Sequence, residues 1–151
     1  MSVTSAGAAV ISSARMNTGV EGLDAILGGG LPTGHLYLVE GTPGTGKTTL
    51  ALQFLLAGAA KGLRGVYVTL SESRQELNEV ASSHGWSLEN IEIIELSPDE
   101  GAAADEMYTV FHPAELELQE TMSAVLEAIE RSRPSLVVVG MTMFASLVRN
   151  G

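Results

Sequence analysis

The 151-residue sequence contains no cysteine. That absence excludes disulfides, thiolate zinc sites and cysteine nucleophiles, and it suits a reducing cytoplasm, which is the compartment we expect. Basic residues are also scarce, with 8 lysines and arginines against 18 acidic residues and a formal net charge of −10. Because nucleic acids and anionic membranes are bound by clusters of basic side chains, we expect neither as a partner.

Long hydrophobic runs are missing as well. No stretch approaches the roughly 20 apolar residues that span a bilayer. The first 16 residues have no basic region ahead of their weakly apolar patch, so they do not resemble a secretory signal. Hydrophobic residues nevertheless make up 45% of the chain, enough for a core. We predict a flexible N-terminal tail over residues 1–16 and one domain over residues 17–151.

One glycine-rich segment carries the clearest chemical pattern. Residues 41–48 read GTPGTGKT and match the phosphate-binding loop, or P-loop, pattern G-x-x-x-x-G-K-[ST]. An apolar run over residues 36–40, short enough for a buried strand, precedes it and a helical pattern over residues 49–57 follows it. The sequence therefore predicts strand, loop and helix in that order. In this arrangement glycines let backbone N–H groups turn toward a phosphate, and the helix directs its positive end to the same place.

Each residue type in the P-loop has a predicted task. Lys47 supplies a mobile cation for the outer phosphates of ATP or ADP, and the Thr48 hydroxyl can bind Mg²⁺. A glycine-rich turn with a surface lysine is the alternative interpretation, and the flanking strand and helix patterns argue against it. The predicted nucleotide-binding residues are Gly41, Thr42, Pro43, Gly44, Thr45, Gly46, Lys47, Thr48 and Thr49.

The rest of the chain alternates between strand and helix patterns. Further strands are predicted over residues 65–70, 91–96 and 135–139, the last buried on both faces, and a surface loop is predicted over residues 97–113. Capping-box spacing at Thr18–Glu21 and Ser73–Glu76 predicts two helix starts, and glycines 28–30 end the first helix. A long helix is predicted over residues 114–133, with an apolar face of Met122, Val125, Leu126 and Ile129. This alternation predicts an α/β fold with a mostly parallel sheet and a ligand at the carboxyl ends of its strands.

The segment that leads into the P-loop resembles a known family. Residues 18–32 read TGVEGLDAILGGGLP, which is similar to the opening of KaiC-type ATPases, a RecA-like family. Weaker similarities occur at residues 67–73, 111–115 and 133–139, so the resemblance extends over most of the chain. It implies a RecA-like P-loop NTPase core, ATP hydrolysis with Mg²⁺, and homo-oligomeric rings that hold ATP between subunits.

The chain departs from that family in two places. The resemblance implies a Walker B aspartate at the end of the fourth strand, where this chain has Gly140 instead. Its three aspartates, Asp24, Asp99 and Asp105, end no predicted strand. Because that aspartate supports the metal, we expect slow or absent hydrolysis. The resemblance also implies further strands beyond residue 151, so we expect the fold to be incomplete at its C-terminal end.

The resemblance places a water-orienting glutamate after the strand that follows the P-loop helix. Ser71 and Glu72 occupy this place, so Glu72 is the predicted water-orienting residue. Together with Lys47 of the P-loop, it makes up the predicted catalytic residues. The alternative is that Glu72 only stabilises the positive end of the next helix.

Several functions stay open at this point. The leading interpretation is an ATP-binding KaiC-like domain with impaired hydrolysis. A second is a non-catalytic module that holds a nucleotide or only oligomerises, and a third is an incomplete fragment without independent function. A DNA recombinase is disfavoured by the scarcity of basic residues. A small-molecule kinase is disfavoured because the loop over residues 97–113 has no lysine or arginine to serve a lid.

Overall fold

The structure, a computed structural model, describes residues 14–96 and 113–141. Strands and helices alternate along most of the chain, as the sequence predicted, and the fold belongs to the expected α/β class. In chain order the elements are β1 (Arg15–Met16), α1 (Glu21–Ile26), β2 (Leu31–Pro32), α2 (Lys47–Ala60), β3 (Gly65–Thr69), α3 (Arg74–Ser83), β4 (Ile91–Glu95), α4 (Pro113–Ser132) and β5 (Leu136–Gly140).

A three-stranded parallel sheet of order β4-β3-β5 lies at the centre. In its register Gly65 lies opposite Ile91 and Leu136, and Thr69 lies opposite Glu95 and Gly140. All five residues of β3 are buried because strands pair with both of its edges and helices cover both of its faces. The carboxyl ends of the three strands therefore meet at one edge of the sheet, the edge that binds ligands in parallel α/β folds.

The core lies in two layers, one on each face of the sheet. On one face, Tyr67 packs with Leu52 and Leu55 of α2 and Leu77 of α3. On the other face, Val66 and Val68 pack with Val125 of α4. This division follows from the period of two in β3, which sends successive side chains to opposite faces. Tyr67 consequently lies beneath the helix that follows the P-loop.

The N-terminal segment is tied to the glycine-rich turn that follows α1. β1 and β2 pair antiparallel, with Arg15 opposite Pro32, and Met16 is buried. Gly30 has φ +113°, and a Cβ there would overlap the carbonyl group of Met16, so the turn requires glycine. Arg15 and Met16, which were predicted to belong to a flexible tail, instead form a strand. Residues 1–13 lie outside the described ranges.

The apolar run over residues 36–40 was predicted to be a buried strand, and this prediction is wrong. The structure assigns it no strand, and Leu36 and Leu38 are 99% and 83% exposed. An apolar run becomes a strand only where a neighbour completes its backbone hydrogen bonds. Within residues 14–96 and 113–141 no strand pairs with this run, and β5 pairs only with β3. The P-loop is therefore entered from an exposed segment.

One of the two predicted capping boxes forms. Ser73–Glu76 makes both reciprocal hydrogen bonds at the start of α3, so that prediction is confirmed. The Thr18–Glu21 box is wrong, because α1 has Val20 as its N-cap and no side-chain cap. The Thr18 hydroxyl instead donates to Asp24 Oδ1 at 2.8 Å. The Asp24 carboxylate thus accepts the hydrogen bond of the Thr18 hydroxyl, which the sequence pattern had predicted to cap the helix start.

The predicted burial needs two further corrections. α4 begins and ends within one residue of its predicted bounds, but Met122 and Leu126 are exposed, whereas Val125 and Ala128 are buried. β5 is only partly buried along most of its length, not covered on both faces as predicted. Residues 97–112 of the predicted surface loop lie outside the described ranges. Among the described helices, none has the length and apolar character needed to cross a bilayer.

Candidate functional site

Helix α2 begins at the end of the P-loop, and no side chain caps its first turn. Gly44 and Gly46 have φ values of +84° and +87°, in the left-handed region where glycine is favoured. Gly46 is the N-cap of α2, and the first turn contains no acidic residue. The first N–H groups of a helix have no partner inside it, and its N-terminus carries a partial positive charge. The start of α2 can therefore accept an anion such as a phosphate.

Lys47 spans the P-loop from the first residue of α2. Its Nζ donates to the carbonyl oxygen of Gly41 at 2.7 Å and to that of Thr42 at 2.9 Å. The Thr45 hydroxyl donates to the same Thr42 carbonyl at 2.8 Å. Both ends of the loop are thus held together by its own side chains, and the ammonium group stays at the exposed side, where it can reach a bound phosphate.

Thr48 and Glu72, distant in sequence, meet at this site. The Thr48 hydroxyl donates to Glu72 Oε1 at 2.7 Å. The backbone of Glu72 is held by Thr69, whose hydroxyl donates to the Glu72 carbonyl at 2.7 Å and accepts from the Glu72 N–H at 2.9 Å. Thr69 ends β3 and is 1% exposed. The carboxylate that we predicted from the resemblance therefore lies beside the hydroxyl that we predicted as a Mg²⁺ ligand.

Tyr67 is a member of the site that the sequence analysis missed. Its hydroxyl donates to Glu72 Oε2 at 3.0 Å, and the residue is 2% exposed. Burial, reinforced by the nearby Glu72, raises the pKa of the Tyr67 phenol well above its ordinary value, so the phenol stays protonated and remains a donor. Alternation along β3 places Tyr67 on the same face as Thr69, and this was the signal that could have found it.

Gly140 completes the local geometry at the end of β5. A Cβ at this position would lie 2.7 Å from the Tyr67 hydroxyl oxygen and 2.8 Å from Tyr67 Cε1. The Gly140 carbonyl accepts from the N–H of Leu70 at 3.1 Å, which extends the pairing beyond β3. The place that the resemblance gives to the Walker B aspartate is thus occupied by the ring of Tyr67.

The residues present suit a nucleotide phosphate and a Mg²⁺ ion. The uncapped start of α2 and the Lys47 ammonium group suit an anion. Thr48 and Glu72 offer oxygen donors, which Mg²⁺ prefers. Within the described part of the chain, no group of three or more His, Asp or Glu residues could hold a metal. An ion here would therefore take its remaining ligands from phosphate and water, as Mg²⁺ commonly does.

Other candidate carboxylates are placed elsewhere. Asp24 accepts from the backbone N–H of Thr18 at 2.7 Å and belongs to the N-terminal segment. Asp99 and Asp105 lie outside the described residues. Among the described residues, the carboxylate that accepts a hydrogen bond from the Thr48 hydroxyl is that of Glu72.

Comparison with known proteins gives similarities to KaiC proteins and to a UPF0273 protein. A circadian clock oscillator protein KaiC from Picosynechococcus sp. is 44% identical over 92 residues, which are 56% of this chain and 18% of that protein. The KaiC of Synechococcus elongatus is 43% identical over 93 residues, 57% of this chain and 18% of the relative. A UPF0273 protein from Methanopyrus kandleri is 40% identical over 78 residues, 52% of this chain and 31% of the relative. The chain thus spans less than a third of the length of these relatives.

A family model covers more of the chain than any of these pairwise similarities. The model of the KaiC ATPase family matches residues 16–141, which include the P-loop, Tyr67, Glu72 and Gly140. Together with the three-stranded parallel sheet and the loop that begins α2, this match shows that the chain belongs to the KaiC ATPase family.

Proposed function

We propose that this chain binds ATP with Mg²⁺ at the P-loop and that it hydrolyses ATP slowly or not at all. The hydrogen bond of 2.7 Å between the Thr48 hydroxyl and Glu72 Oε1 carries the proposal. It joins the start of α2 to the carboxyl end of β3, where a parallel sheet binds its ligand. The family membership supports a nucleotide as that ligand.

Each of the chain's own groups has a role in this proposal. The N–H groups of Gly44, Gly46 and the first turn of α2 bind the phosphates, and Lys47 exchanges its loop carbonyls for the outer phosphates. Thr48 and Glu72 face the metal side, and Glu72 also orients a water for attack. When bound, Mg²⁺ neutralises charge on the phosphates. Because Gly140 supplies no carboxylate, we expect turnover to be weak.

The assembly state belongs to the same proposal. We propose a homo-oligomer formed around the nucleotide, which the family membership supports, and a cytoplasmic location in keeping with the absence of cysteine. A non-catalytic module that holds ATP or ADP is the second candidate function. The observation that favours it is the close approach of Tyr67 to Gly140, which leaves no space for a further metal-supporting side chain there.

The first test is a fluorescence titration with an ATP analogue, with and without Mg²⁺. We expect Lys47→Ala to weaken binding at least tenfold, because a cation is lost from the phosphate site. The matched control is Lys61→Ala, which alters the sequence's only other lysine, at the opposite end of α2, and should leave the affinity unchanged. Equal loss in both variants, or no binding by protein shown to be folded by circular dichroism, would overturn the proposal.

Hydrolysis is measured separately on protein that binds the analogue. We expect turnover well below the roughly 10 s⁻¹ of a typical enzyme. Turnover at or above that rate, abolished by Lys47→Ala, would refute the impaired-hydrolysis part and leave the binding part intact. Analytical ultracentrifugation with and without nucleotide tests the assembly, and a monomer under both conditions would contradict it.

A further inference from the structure

The carboxylate of Glu72 is held from two sides by donors on different elements. Thr48, in the first turn of α2, donates to Oε1 at 2.7 Å, and Tyr67, in the middle of β3, donates to Oε2 at 3.0 Å. Because the two oxygens of one carboxylate are engaged separately, the plane of the group is fixed, not only its position. Hydrogen bonds to a charged acceptor are also stronger than those between neutral groups.

The phenol of Tyr67 has little freedom to move. The residue is 2% exposed and packs in the core cluster with Leu52 and Leu55, both of which are 0% exposed. Close-packed interiors give way only at a cost in free energy. The hydroxyl is therefore presented to Glu72 by the core itself.

Gly140 leaves the room that this arrangement requires. A Cβ at position 140 would lie 2.7 Å from the Tyr67 hydroxyl oxygen and 2.8 Å and 3.1 Å from its Cε1 and Cζ atoms. Contacts below 3.0 Å are essentially absent between a real Cβ and its neighbours, so a side chain here and the tyrosine ring exclude each other. The ring of Tyr67 can therefore occupy this position because residue 140 is glycine and has no side chain.

We propose that Tyr67 is the positioning residue for Glu72 and that Gly140 is matched to it. On this view the chain has exchanged a side chain at the end of β5 for a neutral hydroxyl that aims the Glu72 carboxylate beside Thr48. The inference rests on the proposed function for its Mg²⁺–nucleotide part. Its packing part concerns the protein without any ligand.

The positioning role is tested by removing one hydroxyl. Tyr67→Phe keeps the ring and deletes the donor to Glu72. We expect Mg²⁺ to improve binding of an ATP analogue at least threefold less in this variant than in the parent protein, with the Mg²⁺-free affinity within twofold of the parent. A purely structural role would lower both affinities together. The matched control is Tyr37→Phe, which deletes the hydroxyl that donates to the Pro32 carbonyl at 2.8 Å in an exposed segment and should change neither affinity.

The packing role is tested by a double-mutant cycle on the ligand-free protein. We expect Gly140→Ala to lower the midpoint of thermal unfolding by roughly 5 °C when Tyr67 is present. In a Tyr67→Val background, where the ring is gone, the same change should be neutral or raise the midpoint, because alanine has less backbone freedom to lose than glycine. Tyr67→Leu replaces Tyr67→Val in the cycle if the valine variant does not fold.

The positioning role of Tyr67 and its packing match with Gly140 can be refuted independently. An equal effect of Gly140→Ala in both backgrounds would overturn the matched pair. An unchanged Mg²⁺ effect in Tyr67→Phe would overturn the positioning role. If the parent protein itself binds no nucleotide, the proposed function and the positioning role fall together, whereas the cycle in ligand-free protein still decides whether Tyr67 and Gly140 are matched.

Discussion

Asp24 is a residue whose charge holds together the segment ahead of the P-loop. Its Oδ1 accepts from the backbone N–H of Thr18 at 2.7 Å and from the Thr18 hydroxyl at 2.8 Å. The backbone N–H of Thr18 is the main reason that the pKa of Asp24 lies below its ordinary value. Donors stabilise the ionised carboxylate more than the protonated one, so this interaction depends on pH.

The pH dependence of stability should reveal that interaction. The pKa of Asp24 is lower in the folded chain than in the unfolded chain, where it is about 4. Its contribution is therefore present above about pH 4 and disappears as the pH falls through the folded value. We expect the thermal midpoint of Asp24→Asn to lie below that of the parent protein at pH 7 and to approach it at pH 3. Glu117→Gln, on the exposed surface of α4, is the control, and a gap that widens in acid would contradict the assignment.

At the scale of elements, α4 shows what helical periodicity can and cannot predict. Its bounds were predicted within one residue, but the predicted face included Met122 and Leu126, which are 44% and 55% exposed. The face that packs includes Val125, Ala128 and Ser132, all less than 5% exposed. Small and polar residues contribute little to an apolar pattern, so the larger side chains of the neighbouring face dominated the prediction. Only the position of the sheet decides which face is buried.

Two single substitutions on α4 separate these faces. Val125→Ala removes two methyl groups from the core layer with Val66 and Val68 and should lower the free energy of unfolding by about 2 kcal/mol. Leu126→Ala, at the next position, should lower it by less than about 1 kcal/mol, because exposed substitutions have small effects. Urea denaturation measures both values. A larger loss of unfolding free energy for Leu126→Ala than for Val125→Ala would indicate that the face with Leu126 is buried, as predicted from the sequence.

The site was predictable to the extent that it is local in sequence. The P-loop pattern was enough to propose Lys47 and Thr48, because those residues and the loop glycines are adjacent in the chain. The contact between Thr48 and Glu72 depends on how α2 lies against β3, so the resemblance indicated the residue but not its partner. Tyr67 and Gly140 meet through the register of two strands that are far apart in sequence. No local pattern reports such a register.

At the scale of the whole molecule, the most exposed large apolar side chains among the described residues lie ahead of the P-loop. Leu36 and Leu38 are 99% and 83% exposed, and β5 has one edge with no strand partner among residues 14–96 and 113–141. Exposed apolar segments and open strand edges are sites of association between chains. We therefore expect this part of the surface to govern self-association.

Leu38→Glu tests that expectation. It should reduce self-association in sedimentation experiments and change the free energy of unfolding by no more than about 0.5 kcal/mol, since the side chain is exposed. Leu55→Glu, at a fully buried position of α2, is the matched control and should prevent folding. A loss of stability above about 2 kcal/mol for Leu38→Glu would show that the run over residues 36–40 is buried as first predicted.

The register of the parallel sheet also sets an order in which the chain can fold. Thr69 lies opposite Glu95, its nearer partner along the chain, and opposite Gly140, its far one. Closing the longer connection costs more chain entropy, so pairing of β3 with β4 should precede pairing with β5. Thr48 and Glu72 both precede β4 in the chain, so their contact can form before β4 and β5 have joined the sheet. During synthesis we expect the contact between Thr48 and Glu72 to form first, and Gly140 to reach the ring of Tyr67 only after β5 has paired with β3.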